Sequence, residues 1–127
     1  MSVIGVGLSA ALLAGLAVFQ ALLAMQAPWG RFAWGGQHDR LPAGARIGSL
    51  AAIVVYSGIL AIQMQQANML HLLPVGDWVN VAAWAIVVLY GLGIAGNAAS
   101  RSAAERRVMT PLVSLLFVLA VVVALGL

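Results

Sequence analysis

Few side chains of this sequence could carry out chemistry, and they are widely scattered. The 127 residues include no cysteine, two histidines, three acidic residues and six arginines. Without cysteine, disulfide bonds, thiolate metal sites and thiol redox chemistry are excluded. His38 and His71 lie in different connecting segments, so we expect no shared metal ion. His38-Asp39-Arg40 has residue types similar to part of a kinase catalytic motif. That motif works only inside a complete kinase domain, so we expect no kinase activity.

Residues 91–96 read GLGIAG and match the dinucleotide-binding fingerprint letter for letter. That fingerprint is meaningful after a strand, at the start of a helix, with an acidic residue about 20 positions further on. Here it ends a predicted membrane helix, and position 116 is leucine. Small residues that let helices approach closely explain the segment better. Since no nucleophile is paired with a base either, we expect neither a cofactor nor an enzyme.

Five polar or aromatic side chains inside apolar stretches are the candidates for a site. A polar group in a membrane interior needs a hydrogen-bond partner, or its burial is costly. One interpretation is a set of hydrogen bonds between helices that fixes their packing. The other is the lining of a small polar pocket or pore, centred on Tyr56 and Trp84. The candidate residues are Gln20, Tyr56, Asn80, Trp84 and Tyr90.

The elements that position these side chains are predicted to be transmembrane helices. Of the residues, 64% are apolar and only 7% are charged, whereas roughly 25% are charged in a soluble domain. Four uncharged stretches are long enough for the roughly 20 helical residues that cross a bilayer. They run from about 3–25, 47–66, 78–97 and 108–127. We therefore expect an all-α four-helix transmembrane bundle, in one domain of residues 1–127.

Arginine placement predicts the orientation of the bundle. All six arginines fall in the first and third connecting segments, and none falls in the second. By the positive-inside rule, these two segments face the cytoplasm and both termini face outward. Anionic lipid headgroups are then expected partners of the arginines, at on the order of 1 kcal/mol for each. The six are Arg31, Arg40, Arg46, Arg101, Arg106 and Arg107.

Capping signals predict where two helices begin. Asp77 before Trp78 is typical of a helix N-cap. Thr110 followed by Pro111 is typical of an N-cap and a first helical residue. The first connecting segment, residues 26–46, is rich in glycine and proline, which predicts irregular backbone.

Small residues at helical spacing predict close contacts between helices. Ala11 and Gly15 share one face, and so do Gly44, Gly48 and Ala52. Such residues let backbones approach closely, either within the bundle or between protomers. A homodimer or a contact with another membrane protein is therefore an expected form of partnership.

No Asp, Glu, Lys, Arg or His lies within the predicted spans. Proton-coupled carriers normally hold such a residue in the membrane, so that class is not favoured. The net charge of +3 comes from arginines at topology-determining positions rather than from a basic stripe on a polar surface. Nucleic acid is therefore not an expected partner.

Two segments resemble a known group of proteins. Residues 97–107 read NAASRSAAERR and precede Pro111, while residues 34–42 read WGGQHDRLP. Both are similar to segments of small uncharacterised four-transmembrane-helix proteins of high-GC bacteria. The resemblance implies this fold, and with it the bacterial inner membrane, but no activity.

We expect a protein that acts through its surfaces, because its predicted spans hold no chemical machinery. The leading hypothesis is an inner-membrane accessory or assembly partner of other membrane proteins. The alternative is a small homo-oligomeric channel or facilitator for a neutral or weakly polar solute.

Overall fold

The computed structural model describes all 127 residues, which form helices and connecting loops without a strand. The elements are α1 (Ser2–Ala24), α2 (Ala43–Gln66), α3 (Trp78–Ala98) and α4 (Ala103–Ala124), with short 3-10 helices at Gly30–Phe32 and Trp34–Gly36. Each long helix has the length and apolar composition of a membrane span. The predicted all-α four-helix transmembrane bundle is confirmed, and the chain is a multi-pass membrane protein.

The four helices surround one apolar core. α1 packs against α2 and α4, α3 packs along α4, and α2 meets α3 over a shorter stretch. The core side chains pack against one another and close the interior at mid-height. They are Leu13, Leu16, Ile59, Ala83, Ile86, Val87, Tyr90, Leu116, Ala120 and Ala124.

The GLGIAG segment of α3 packs against α4, as the sequence predicts. A Cβ atom at Gly91 would lie 3.6 Å from the Phe117 ring, and one at Gly93 would lie 3.3 Å from Val113. The contact at Gly91 would be an ordinary van der Waals contact, whereas the one at Gly93 is tight enough that Val113 would have to shift slightly. The segment therefore serves close helix packing.

The two ends of the bundle carry different loops. The Ser2 backbone N–H donates to the Leu127 carbonyl at 2.6 Å, so both chain termini lie together. A shallow hollow there is also lined by Gln66 and Asn68, which places the second loop, residues 67–77, at this terminal end. At the other end, the Ser102 hydroxyl donates to the Arg31 carbonyl. The first loop (residues 25–42) and third loop (residues 99–102) therefore meet at what we call the arginine end.

The predicted start of the fourth helix is wrong. α4 begins at Ala103, and Pro111 lies inside it rather than at its first position. The N-cap is Ser102, whose hydroxyl accepts the Glu105 backbone N–H at 3.3 Å. Ser-x-x-Glu is the sequence pattern of a capping box, and it prevails over Thr110-Pro111. The internal proline removes one backbone hydrogen bond, because it has no N–H, and its ring crowds the carbonyl one turn earlier, at Arg107.

This earlier start corrects a second prediction. Glu105, Arg106 and Arg107 lie within α4, and Arg46 lies within α2, so the spanning helices do contain ionisable residues. α3 begins at Trp78 as predicted, but the Asp77 side chain makes no capping hydrogen bond. The position of that helix start is confirmed, and its predicted cause is wrong.

Candidate functional site

A cavity of about 160 Å³, with a largely apolar lining that includes a few polar side chains, opens at the arginine end. The first loop and all four helices contribute to its wall. The lining residues are Leu16, Phe19, Gln20, Phe32, Ala33, Trp34, Tyr56, Asn97, Glu105, Met109 and Val113. Because the apolar core closes the bundle below it, this arginine-end cavity is a dead end within one protomer.

Gln20 and Tyr56 meet at one wall of the cavity. The Gln20 Nε2 atom donates to the Tyr56 hydroxyl at 3.2 Å, which joins α1 to α2. The Gln20 Oε1 atom is buried and has no hydrogen-bond partner. Buried polar atoms without partners are rare in proteins. This oxygen has almost no accessible surface, so it could meet an occupant of the cavity only if the Gln20 side chain turned.

Glu105 supplies a carboxylate to the same cavity. The residue is only 9% exposed, and its Oε2 atom accepts from the Ser100 hydroxyl at 2.7 Å. The Ser100 hydroxyl in turn accepts the Ser102 backbone N–H at 3.1 Å. In an ordinary capping box, the glutamate side chain accepts directly from the N-cap backbone N–H. Here the Ser100 hydroxyl bridges the Glu105 carboxylate and the Ser102 backbone N–H. A carboxylate in the first turn of a helix also interacts favourably with the helix dipole.

Trp34 covers the cavity from the first loop. Its indole N–H donates to the Ser49 hydroxyl at 3.2 Å, and Ser49 is fully buried in α2. A Cβ atom at Gly48 would lie 2.7 Å from the indole ring, so a glycine is needed beneath it. Trp34 has a φ of +53°, a left-handed conformation that is strained for a large residue. Its contacts with α2 therefore hold the loop in a conformation that the backbone alone does not favour.

Two glycines let the first loop close on itself and dock against α4. The Gly30 N–H donates to the Asp39 carbonyl at 2.9 Å, and a Cβ atom at Gly30 would overlap the His38 carbonyl oxygen. Gly36 has a φ of +69°, and a Cβ atom there would collide with the Ser102 side chain. The loop predicted to be irregular is therefore an ordered cover over the cavity.

The six arginines proposed to meet lipid headgroups divide into two groups. Arg46 is half-buried, and its Nε atom donates to the carbonyl of Ala24, the last residue of α1, at 2.7 Å. Arg106 donates to the Ser100 carbonyl at 2.7 Å. These two hold the ends of helices and loops. The others are exposed without such a bond: Arg31, Arg40, Arg101 and Arg107.

Three of the predicted pocket residues lie elsewhere. Asn80 is at the terminal end, where its Oδ1 atom accepts from Gln66 Nε2 at 3.1 Å. Trp84 is 39% exposed on the outside of α3, so no pocket is centred on it and Tyr56. Tyr90 is buried in the core, and its hydroxyl has no hydrogen-bond partner. Of the five candidates, only Gln20 and Tyr56 line a common cavity.

Sequence reasoning missed three polar residues of the cavity: Trp34, Asn97 and Glu105. The Ser-x-x-Glu pattern at Ser102 was the available signal for Glu105, because it predicts a helix start there. Trp34 lies in residues 34–42, and Asn97 and Glu105 lie in residues 97–107. No pattern in the sequence alone indicates that these two segments touch.

The fold and cavity define a class, a four-helix membrane bundle with a covered cavity at its arginine end. Comparison with family models, curated proteins and solved structures finds no match for the chain. Its function must therefore be inferred from its own residues.

Proposed function

We propose that the chain belongs to the bacterial inner membrane, with its arginine end in the cytoplasm and both termini outside. The support is the distribution of positive charge. All six arginines lie in or beside the first and third loops, and positive residues favour the cytoplasmic side. There, the four exposed arginines would contact anionic lipid headgroups. A reporter enzyme that works only outside the cytoplasm, fused after Leu127, should be active, and activity of a cytoplasm-dependent reporter there would reverse the orientation.

Within that membrane, we propose that the chain is an accessory or assembly partner of another membrane protein, which binds through α2. The observation that carries this is the low burial of α2 by its own bundle. In the most apolar stretch of α2, 17% of the residues are buried. The corresponding share is 28% in each of the other three helices. A helix that contributes so little to its own core is available to pack against another protein.

The outward face of α2 suits a transmembrane helix as its occupant. Gly44, Ala51 and Gly58 are exposed there, seven residues apart, so they lie along nearly one line of the helix. No atom of the protomer lies within 4 Å of a Cβ atom built at Gly44 or Gly58. Small residues along such a line let a second apolar helix approach closely. Of the small residues predicted to form this face, Gly48 is instead covered by Trp34.

Variants with a large side chain at open glycines test this proposal. Gly58→Ile should abolish co-purification of a specific partner in mild detergent, detected by mass spectrometry. Gly96→Ile is the matched control, because Gly96 in α3 is also free of neighbours within 4 Å, and it should retain the partner. Gly15→Ile on α1 tests whether the partner binds instead to the face formed by Ala11 and Gly15. Equal partner recovery from the Gly58 and Gly96 variants would overturn the α2 interface, and recovery of only further copies of this chain would assign the face to a homodimer.

A second candidate function is a small homo-oligomeric channel or facilitator for a neutral or weakly polar solute. The observation that favours it is a set of buried polar atoms without partners in both halves of the bundle. Towards the terminal end they belong to Ser2, Ser9 and Gln63, and towards the arginine end they include Gln20 Oε1 and the Tyr90 hydroxyl. An apolar layer between polar halves is also how hydrophobic gates are built.

Solute flux into liposomes distinguishes the two candidates. A facilitator should raise the flux of a small neutral solute such as glycerol, and Leu116→Ala in the closed core should increase that flux further. An accessory protein should leave the flux unchanged in both forms. A variant at the outer surface, Val88→Ala, is the matched control because Val88 is exposed to lipid.

A further inference from the structure

A second hollow adjoins the arginine-end cavity and opens on the outside of the bundle. It is a groove of about 310 Å³ between α1 and α4. Its wall is apolar except for one arginine, and it consists of Phe19, Trp29, Arg31, Phe32, Val108 and Met109. Phe19, Phe32 and Met109 also line the cavity, so the two hollows share a wall. A ligand that fills both must pass over these three side chains.

The groove has the chemistry of a lipid site. Val108 and Trp29 are each 43% exposed, on a surface that faces the membrane. An apolar groove accepts an acyl chain, and a tryptophan suits the boundary between acyl chains and headgroups. The Arg31 guanidinium lies over the Phe32 ring, 4.8 Å from its centroid, at the rim where a lipid phosphate would lie. Arginine binds phosphate with paired N–H donors.

The cavity adds a carboxylate, that of Glu105. The Ser102 hydroxyl donates to the Arg31 carbonyl and accepts the Glu105 backbone N–H, so the two charged residues are held by one hydroxyl. Their charged groups have other contacts, with Phe32 for Arg31 and with Ser100 for Glu105. The result is a positive group at the groove and a carboxylate in the adjoining cavity. A ligand that meets both groups carries an anionic and a cationic group, such as a phosphate and an ammonium.

We propose that the groove and cavity together bind one molecule of a phospholipid with a primary amine, phosphatidylethanolamine. Its acyl chain lies in the groove, its phosphate meets Arg31, and its ammonium enters the cavity. Glu105 then accepts from the ammonium, which has three N–H donors. The Gln20 side chain turns so that its buried, unpaired Oε1 atom also accepts. Aromatic walls such as Phe32 and Trp34 also attract a cation. This proposal is independent of the partner role of α2.

The size and chemistry of the cavity select this headgroup. A cavity of roughly 150 Å³ is known to accommodate benzene, so about 160 Å³ accommodates an ethanolamine group. A trimethylammonium group has no N–H to donate to Glu105 or Gln20. A glycerol headgroup has no positive charge. Phosphatidylethanolamine should therefore bind more tightly than phosphatidylcholine or phosphatidylglycerol.

Native mass spectrometry of the full chain in mild detergent tests the proposal. The three lipids are added separately with identical acyl chains, and lipid-bound protein is counted. Phosphatidylethanolamine should bind at one molecule per protomer, about tenfold more tightly than the other two. Glu105→Gln keeps a hydrogen-bond acceptor but removes the charge, and it should abolish the preference, a loss of about tenfold expected for a charge-assisted hydrogen bond. Asp39→Asn is the matched control, because Asp39 is exposed and lines neither hollow, and it should keep the preference.

Two further variants and a soluble competitor test the remaining parts of the proposal. Arg31→Gln, at an exposed position, should weaken all three phospholipids, and Gln20→Leu should weaken phosphatidylethanolamine alone. Full competition by glycerophosphoethanolamine, which has no acyl chains, would overturn lipid binding in favour of a soluble amine. Equal binding of the three lipids, or an unchanged preference in Glu105→Gln, would overturn the proposal. Because the measurement needs neither a partner nor a defined orientation, its failure is distinguishable from failure of the proposed function.

Discussion

The arginine end and the terminal end of the bundle differ in whether a loop reaches a fully buried polar side chain. At the arginine end, the pairs Gln20–Tyr56 and Trp34–Ser49 are hydrogen-bonded across different elements. At the terminal end, Gln63 is 1% exposed, yet neither atom of its amide has a partner. Both ends have hydrogen bonds between a loop and a helix, since Gln65 bonds to the Leu73 backbone at the terminal end. Only the first loop reaches a fully buried polar side chain, that of Ser49.

The loops explain this difference. The first loop folds into two 3-10 helices and inserts Leu41 and Ala33 into a small apolar cluster with Leu23. The second loop has no helix, and its Leu72 and Val75 are 84% and 97% exposed. A loop that buries apolar side chains is held in place and can position donors. The comparison therefore places the better-anchored loop at the arginine end, while Gln63 at the terminal end has no partner.

The largest effect is expected from Gly30→Ala, which should open the cover of the cavity. The new Cβ atom would overlap the His38 carbonyl oxygen, so the first loop would have to move. We expect a loss of about 3 kcal/mol in the free energy of unfolding, at the upper end of the cost of overpacking. Unfolding in detergent micelles measures it. Gly7→Ala is the control, because no atom lies within 4 Å of a Cβ atom there, and equal stability of both variants would contradict an ordered cover.

A smaller effect is expected from Ser102→Ala, which should loosen the contact between the first loop and α4. It removes the N-cap of α4 and the hydrogen bond to the Arg31 carbonyl. Together these losses should cost about 2 kcal/mol. Ser57→Ala is the matched control, because the exposed Ser57 hydroxyl bonds only to its own helix at Ile53. Amide hydrogen exchange should increase in the first loop of the Ser102 variant alone, and protection equal to that of the unchanged chain would refute the docking role.

The smallest effects come from a pair of glutamines, and they should differ in sign. Gln20→Leu removes a hydrogen bond to Tyr56 and should destabilise the bundle by about 1 kcal/mol. Gln63→Leu removes two unpaired polar atoms and should stabilise it by about 1 kcal/mol. Thermal unfolding of both variants in the same detergent provides the test. Destabilisation by Gln63→Leu would show that the terminal end has partners for this side chain, and the contrast between the two ends would fail.

Most of the fold was predictable, because span length and hydropathy depend on neighbouring residues only. The third helix, predicted from 78 to 97, runs from Trp78 to Ala98. The start of α4 was mispredicted because two capping signals compete within a few residues. Ser102 prevails because its hydroxyl caps the helix and also bonds to the first loop, a contact that only the folded chain makes.

Less of the site was predictable. Gln20 and Tyr56 were expected near a pocket, and they share one, while Trp84 and Tyr56 do not. Which way a side chain points depends on the rotation of each helix about its axis. In an evenly apolar helix, no polar face in the sequence specifies that rotation. Packing against neighbouring helices decides it, through contacts such as the one between Gly93 and Val113.

The polar side chains that are scattered along the sequence therefore come together only in the folded chain. The sequence by itself determined the number of spans and the gathering of all six arginines into two connecting segments, because each depends on local composition. It also determined that Glu105 stands three residues after a serine able to cap a helix. Only the tertiary structure brought Glu105, Gln20 and Trp34 to one cavity. The reason is that they come from three elements far apart in the chain, and docking of the first loop, with Trp34 in a strained conformation, closes the space between them.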